Sequence, residues 1–443
     1  MLMQLYNIEQ QKELLKFQQY DRFYNNEFNS QEKNALDVDA RFYIAANITK
    51  SIIDVTPDFI LGEAPKVTTE NEEQQTVLDY ITDTTDMGTV FYDASLTASL
   101  KGKSYIKLYL LEGQVMAQAL EPDNVIPTYD IYNKITSADV LTAIETREDG
   151  STLVLKETLT AERITRMLIV LDQNKDFREQ LELSAHPLTK EIAAAEDNVF
   201  GILPLVELKN NTKAQSDIAG CETLVLAINK RLSEIDYIIT KHADPKLQVP
   251  SGMLERNYSF DLVSNGNTTY IYQNGGIDNK DFKVVGVNPN DPDMKYIQPN
   301  MDLTAAYEEI DRLINYLLNQ TKTSTSLIQS IKDGTGVESG KALRLKLINT
   351  ERKLRQKKVF ISKAIKEFYA IAQTLLSQPA APIDIEYTDI LNDKDAVVDQ
   401  AVKLHQAGII STREALRAAY PTASEDMIET MYLERLEETV ITE

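Results

Sequence analysis

The chain of 443 residues has a single cysteine, Cys221, and only three histidines, His186, His242 and His405. One cysteine cannot close an internal disulfide, and three widely spaced histidines cannot build a Cys/His zinc cage, so a reducing compartment fits best. No apolar run approaches the ~18 residues that span a bilayer, and the opening MLMQLYNIEQQ lacks the basic-then-apolar order of a signal peptide. A soluble protein inside the cell, with no membrane partner, is the expectation. Basic residues are scarce as well: 46 Lys plus Arg stand against 68 Asp plus Glu, a formal net charge of −22. Proteins that wrap nucleic acid usually carry a basic surface that displaces phosphate counterions, so this balance argues against a protein that grips DNA.

At about 150 residues per domain, the length predicts roughly three domains. Up to about residue 60 the apolar spacing is helical (Leu14, Leu15 and Phe17, then Phe42, Ile44, Ala45, Ile48, Ile52 and Ile53), and Gly62 and Pro65 end it. Further helical segments are expected around Thr76 to Ile81 and Val90 to Leu100. The period then changes to two. Tyr105–Leu110, a Glu112-Gly113 turn and Val115–Leu120 read as a hairpin, and Asp149-Gly150 divides a second one. A β-rich region from about Lys103 to Asp172 follows, closing near FGILPLVEL at Phe200 to Leu208.

Two helical segments then bracket a short β-rich insert. Leu224, Ile228, Leu232, Ile235 and Ile239 mark one face between Asp217 and Lys241; Leu303, Tyr307, Ile310, Ile314, Leu317 and Leu318 mark one face between Asp302 and Thr321. At 1.5 Å per residue these are rods of about 30 to 40 Å. Between them lie a Gly266 turn, TYIYQ, FKVVGV and the NPNDPD turn. Periodicity fits either an αα-hairpin with a decorated loop or a projecting stalk with a tip. After the second rod, QTKTSTS and KDGTG form a loop, and a long helix runs from about Ser339, a candidate N-cap, to Ser377. PAAP closes it. Ser411 with Glu414, and Thr422 with Glu425, have capping-box spacing in the final helical section.

Catalytic signals are weak. GTGVESGKA (Gly334–Ala342) resembles a phosphate-binding loop, but Gly336 is one residue too close to the Gly-Lys pair, Thr335 occupies the required Gly position, and Ala342 replaces the magnesium-binding hydroxyl. The carboxylate pairs Asp291/Asp293 and Asp393/Asp395 lie beside turn or helix-start signals that favour Asp regardless of metal. The histidines lack a nearby nucleophile or second ligand in sequence. No catalytic residue, cofactor site or metal site is assigned, and the chain reads as a non-enzyme. Charge is more informative. From Lys341 to Lys366 ten basic residues face the single Glu351, a local balance of +9, leaving −31 for the remainder. This stripe, whose first eight basic residues are Lys341, Arg344, Lys346, Arg352, Lys353, Arg355, Lys357 and Lys358, fits either a helix paired with acidic neighbours, including those of another subunit, or a nucleic-acid contact.

Four stretches in order along the chain resemble the portal proteins of tailed bacteriophages, in the branch of siphophages and prophages of Gram-positive bacteria. They are NITKSIIDVTPDFILGEAP (Asn47–Pro65), GILPLVELKNN (Gly201–Asn211) followed by Ser216-Asp217, GVESGKALRLKL (Gly336–Leu347), and GIISTREALRAAYP (Gly408–Pro421). One departure is Ser324-Thr325-Ser326 where the family often has a proline.

The resemblance implies an α+β, mainly α, portal fold: a wing over 1–216, stem helices over 217–244 and 301–322, and a clip over 245–300. A tunnel loop over 323–338, a long wing helix over 339–382 and a helical crown over 383–443 complete it. It implies a homo-oligomeric ring of about twelve copies at one capsid vertex of the virion, assembled in the host cytoplasm, with double-stranded DNA passing through. Ser326, Gln329, Lys332, Asp333, Gly334, Thr335 and Gly336 would belong to the tunnel loop. Tyr270, Tyr272, Phe282, Asp291 and Asp293 would belong to a clip that docks the large terminase subunit and then a head-completion or adaptor protein. Scaffold and major capsid protein would meet the wing and crown. A self-assembling scaffold unrelated to phage, and a metal-dependent hydrolase whose site forms only on folding, are the competing readings.

Overall fold

The computed structural model describes residues 6–28, 43–173, 176–242, 246–250, 261–264, 267–270, 284–287, 295–297, 303–328, 340–388, 394–420 and 427–434. They divide into two compact units. The first comprises Met1–Tyr24, Thr49–Ala219 and Thr321–Glu443, the second Asn25–Ile48 and Gly220–Gln320.

In the first unit, helices α1 (Ile8–Tyr24), α2 (Ile48–Leu61), α3 (Glu72–Thr85) and α4 (Met87–Lys101) precede the sheets. Asn71 starts α3 by accepting from the amides of Glu73 and Gln74, and Asp86, in the left-handed region, separates it from α4. Both are longer than the apolar spacing indicated, because caps rather than core residues set their ends. Strand β1 (Lys66–Thr68) pairs far along the chain with β16 (Asp384–Glu386). The expected hairpin forms from β2 (Lys103–Leu111) and β3 (Gln114–Leu120), and β10 (Leu205–Lys209) joins the other edge of β2. Strands β4 (Val125–Tyr129), β5 (Ile135–Thr146), β6 (Thr152–Thr160), β7 (Arg163–Leu171) and β8 (Phe177–Leu181) make an antiparallel meander, with β9 (Ala195–Asp197) also on β7. The β5–β6 turn is the one expected at Asp149-Gly150. Gly150 has φ +78°, and a Cβ there would come within 2.3 Å of Gln173.

The long helix, α8 (Gly340–Leu375, 36 residues), lies against the β10–β2–β3 sheet together with α3 and α4. Its Leu354, Ile361, Ile365 and Phe368 join Ile81, Phe91, Ile106 and Val206 in one core, where the rings of Phe91 and Phe368 meet edge-on at 5.3 Å. The polar run after the second rod is not wholly loop: Thr325–Ile328 forms one helical turn, α7, because Leu327 packs on this core. Toward the C-terminus, α9 (Lys394–Gln406) ends at Gly408, φ +68°, and α10 (Thr412–Ala419) begins with the expected Ser411–Glu414 capping box. Ser339, Thr422, Glu425, Asp291, Asp293 and Asp393 lie outside the described residues.

In the second unit, α5 (Glu222–His242) and α6 (Thr304–Gln320) are the two rods, about 32 and 26 Å long at 1.5 Å per residue. They run antiparallel: Cys221 Sγ lies 3.3 Å from Gln320 Oε1, and Arg231 pairs with Glu309 at 3.0 Å. Residues 43–47 are not helical, although Ile44 and Ala45 fitted a helical period. They form a strap whose amides at Ile44 and Ala46 donate to Ser233 Oγ and Asn229 Oδ1, both buried on α5, so side chains replace the helical acceptors. Phe42 lies outside the described residues. The insert holds β11 (Lys246–Pro250) between β14 (Val284–Val287, parallel) and β15 (Lys295–Ile297, antiparallel), and a hairpin of β12 (Asp261–Ser264) with β13 (Asn267–Tyr270) on either side of Gly266.

Candidate functional site

Lys353 and Lys357 are one turn apart on α8, so they share a face with the core residues Leu354 and Ile361 rather than with the exposed Arg352 and Arg355. Both reach Asp217 Oδ2: Lys357 Nζ donates to it at 2.6 Å, and Lys353 Nζ lies 2.9 Å away without hydrogen-bond geometry. All three side chains are at most 8% exposed. Lys357 also donates to Ser99 Oγ at 3.1 Å, and Asn210 Nδ2 donates to Asp217 Oδ1 at 2.8 Å.

The segment carrying Asp217 is folded by its own side chains. Asn211 Oδ1 accepts from the amides of Lys213 and Gln215, and both Asn210 and Asn211 donate to the Gln215 carbonyl. The loop docks on the end of α4, where Asp217 N donates to the Ser99 carbonyl and Asn210 N to that of Gly102. Gly102 has φ +93°, and a Cβ there would lie 2.2 Å from the Ala214 carbonyl oxygen, so both its conformation and the loop's approach require glycine.

Two ammoniums face one carboxylate, and the electrostatics reflect that excess. Burial alone would raise the pKa of Asp217, but the adjacent Lys353 and Lys357 outweigh it and hold the carboxyl well below its usual range. For Lys357, burial is the larger influence. Asp217 only partly offsets burial and the neighbouring Lys353 charge, and the ammonium is pushed down to about 8.

The same region holds the start of the predicted tunnel loop. Thr350 on α8 accepts from the Ser324 amide at 2.8 Å, just before α7, while Leu327 sits on the core. Of the predicted loop residues, Ser326 lies in α7, half-buried. Gln329, Lys332, Asp333, Gly334, Thr335 and Gly336 lie outside the described residues. Of the clip residues, Tyr270 ends β13, and Tyr272, Phe282, Asp291 and Asp293 lie outside.

The basic stripe divides. Lys341 and Arg344 belong to the first turns of α8, Lys346, Arg352 and Arg355 are exposed, Lys358 lies 5.1 Å from the Tyr387 ring centroid, and Lys353 and Lys357 are committed inside the chain. Gly340 and Lys341 of the phosphate-loop-like stretch open α8. His186 Nδ1 accepts from the Leu188 amide and His405 faces Thr412 Oγ1 at 2.9 Å. Among the described residues, no group of three or more His, Cys, Asp or Glu could hold a metal ion.

In the sequence Asp217 stands out only as a neighbour of a family-like stretch and as the start of the first rod, and nothing there marks the part played by Asp217, Asn210, Ser99 and Thr350. The available signal was the pair of lysines at i and i+4 flanked by core residues, a spacing that turns both inward.

The sequence matches the family model described as phage portal protein, SPP1 Gp6-like, over residues 5–439. No curated protein sequence matches it. Among solved structures the chain is similar, at 12% identity, to three chains of gene transfer agent (GTA) particles. One is from the neck of an empty particle computed with C6 symmetry (TM-score 0.44, covering 84% of this chain and 90% of that one). The others come from the neck of a native particle computed with C12 symmetry (TM-score 0.44, 83% and 88%) and from the virion of a native particle (TM-score 0.45, 83% and 88%). Since the family match takes in nearly every residue, from α1 through both rods and α8 to the last helices, the chain belongs to the SPP1 Gp6-like family of phage portal proteins.

Proposed function

We propose that this portal protein closes into a ring of about twelve copies at one capsid vertex and that double-stranded DNA passes through the ring during packaging and ejection. The family match over residues 5–439 carries the reading. The charge fits it. A conduit must let DNA slide both ways, and each tight phosphate contact would release counterions and act as a brake. A chain at −22 supplies a weakly gripping wall, with repulsion screened beyond about 8 Å at physiological salt.

In this reading the segment between α7 and α8, through Gly336, forms the narrowest constriction, with Lys332 and Asp333 near its tip and Ser326 in the helical turn that leads into it. Its support is the anchoring of the flanking elements: α7 by Ser324–Thr350 and Leu327, and α8 by the Asp217 cluster, all on one unit. Force on the loop would thus reach a packed core directly. Residues 245–300 dock the large terminase subunit during packaging and a head-completion or adaptor protein afterwards, while scaffold and major capsid protein meet the wing and crown. ATP is hydrolysed by the terminase and not by this chain. Assembly takes place in the host cytoplasm, and the ring stays in the virion.

Electron microscopy of the full-length protein tests the ring. A closed ring with a central hole of about duplex width is expected; a monomer with metal-dependent hydrolytic activity would overturn the reading. Deleting residues 329–336 should leave the ring intact and impair DNA packaging or retention, and normal packaging by the deletion would remove the loop's assignment.

A further inference from the structure

Two exposed helix faces in the first unit carry opposite charge and large apolar side chains. On α8, Leu345, Ile348, Arg352, Arg355, Val359 and Lys363 recur at three- and four-residue spacing, so they form one line along the helix, and every one is exposed. Leu345 and Val359 are 65% and 67% exposed although the opposite side of the same helix is core. On α3, Glu72, Glu73, Asp79, Tyr80 and Asp83 form the outward face, opposite the buried Leu78, Ile81 and Thr85. Asp79 accepts from Gln75 Nε2, and among the described residues none of these four carboxylates has a basic partner.

We infer that in the assembled ring the α8 line of one copy packs against the α3 face of the next. The inference rests on the ring proposed above and names the surfaces that close it. Three observations carry it. The charges are complementary, in a chain whose residues outside the 341–366 stripe sum to −31. Each face sets an exposed apolar side chain among its charges, Tyr80 beside Asp79 and Asp83 on one and Val359 between Arg355 and Lys363 on the other, the usual anatomy of a protein interface. The two faces are also different patches that cannot meet within one copy. Helix α3 packs its inner side against the far part of α8, where Thr82 Oγ1 and Tyr369 Oη are 2.6 Å apart, and both charged faces point away from that shared core. A contact between unlike patches repeats head to tail and closes into a ring when its rotation allows. A DNA contact is the poorer fit, because Leu345 and Ile348 occupy the start of the line and Val359 interrupts its basic row, where phosphates would need donors.

The test is a charge swap in the full-length chain, with assembly followed by sedimentation velocity and folding by circular dichroism. Arg352→Glu/Lys363→Glu and Asp79→Lys/Asp83→Lys should each raise the concentration needed for ring formation by about tenfold or more, because like charges then face each other across the contact. The four changes combined in one chain should restore assembly. The neutral pair Arg352→Gln/Lys363→Gln should weaken assembly less and reduce its salt sensitivity, and it serves if a reversed chain fails to fold. Folded variants that form rings as readily as the wild type, or a combined chain without rescue, would overturn the pairing while leaving the ring standing. Intact rings that lose DNA retention would assign the α8 line to DNA and overturn the pairing too. A wild-type chain that forms no ring would overturn the pairing and the proposed function together.

Discussion

Two buried charge clusters flank the end of α4, and they are built with inverted stoichiometry. At one, Asp217 faces Lys353 and Lys357; at the other, Lys101 Nζ lies 2.9 Å from each of Asp21, Glu121 and Asp123. Lys101 gains enough from its carboxylates, Asp123 foremost, to overcome burial, and its pKa is raised; Lys357 gains too little, and its pKa falls. The clusters also differ in access to water. Side chains in the Asp217 cluster are nearly sealed, whereas Glu121 and Asp21 of the Lys101 cluster are 55% and 36% exposed and remain partly solvated. A buried ion pair is therefore no single quantity: the group in excess, and whether water can reach it, decide what its loss costs.

The largest losses of stability are expected at the two central residues, Asp217 and Lys101. Asp217→Asn keeps the shape but leaves two buried ammoniums without a counter-charge, and it should destabilise the first unit by about 3–5 kcal/mol, read as a fall in the urea midpoint. Lys101→Met leaves Asp123 buried but Asp21 and Glu121 partly in water, so its cost should be smaller, about 2 kcal/mol, by the desolvation penalty of unpaired groups. A larger loss for Lys101→Met than for Asp217→Asn would reverse the argument from solvent access.

The pH dependence sharpens the same contrast. The unfolded chain holds the Lys357 proton up to its ordinary value near 10.5, whereas the folded chain releases it above about 8. Between those limits the unfolded state binds more protons, so this group makes stability rise with pH, by up to about 1.4 kcal/mol per pH unit. Lys101 acts in the opposite sense: its folded pKa is raised, so above the ordinary lysine value the unfolded state loses the proton first and stability falls. Urea midpoints at pH 7.5 and 9.5 should show a gain for the wild type relative to Lys357→Met; parallel curves would mean that Lys357 keeps its proton throughout.

How much of this was legible in the sequence depended on whether the controlling interaction was local. The two rods, the β2–β3 and β5–β6 hairpins, the span of α8 and the Ser411–Glu414 box follow from spacing, turn residues and caps within a few positions. The strap at 43–47 did not, because its partners Asn229 and Ser233 lie about 185 residues away and override a helical period. The pairing of β10 with β2, and of β1 with β16, was hidden for the same reason. The +9 stripe was visible as a sum, but its meaning required knowing which lysines meet Asp217. One helical face separates Lys353 and Lys357 from Arg352 and Arg355, and a charge total has no faces.

The smallest effect belongs to the most conspicuous residue of that stripe. Glu351 is its only acid, and it pairs with Arg355 one turn on, with the Arg355 side chain 75% exposed. An exposed i,i+4 pair is well solvated in both states and costs side-chain entropy to hold, so Glu351→Gln should shift stability by no more than about 0.5 kcal/mol. In the monomer the urea midpoint should hardly move. In the ring the sign should change: removing an acid beside Arg355 makes the α8 line more basic and, if that line faces α3 of the next copy, lowers the concentration needed for assembly. A monomer loss above about 1 kcal/mol would mean that Glu351 is held by more than a solvated ion pair. The outer and inner faces of α8 would then have to be counted as one charge network, not two.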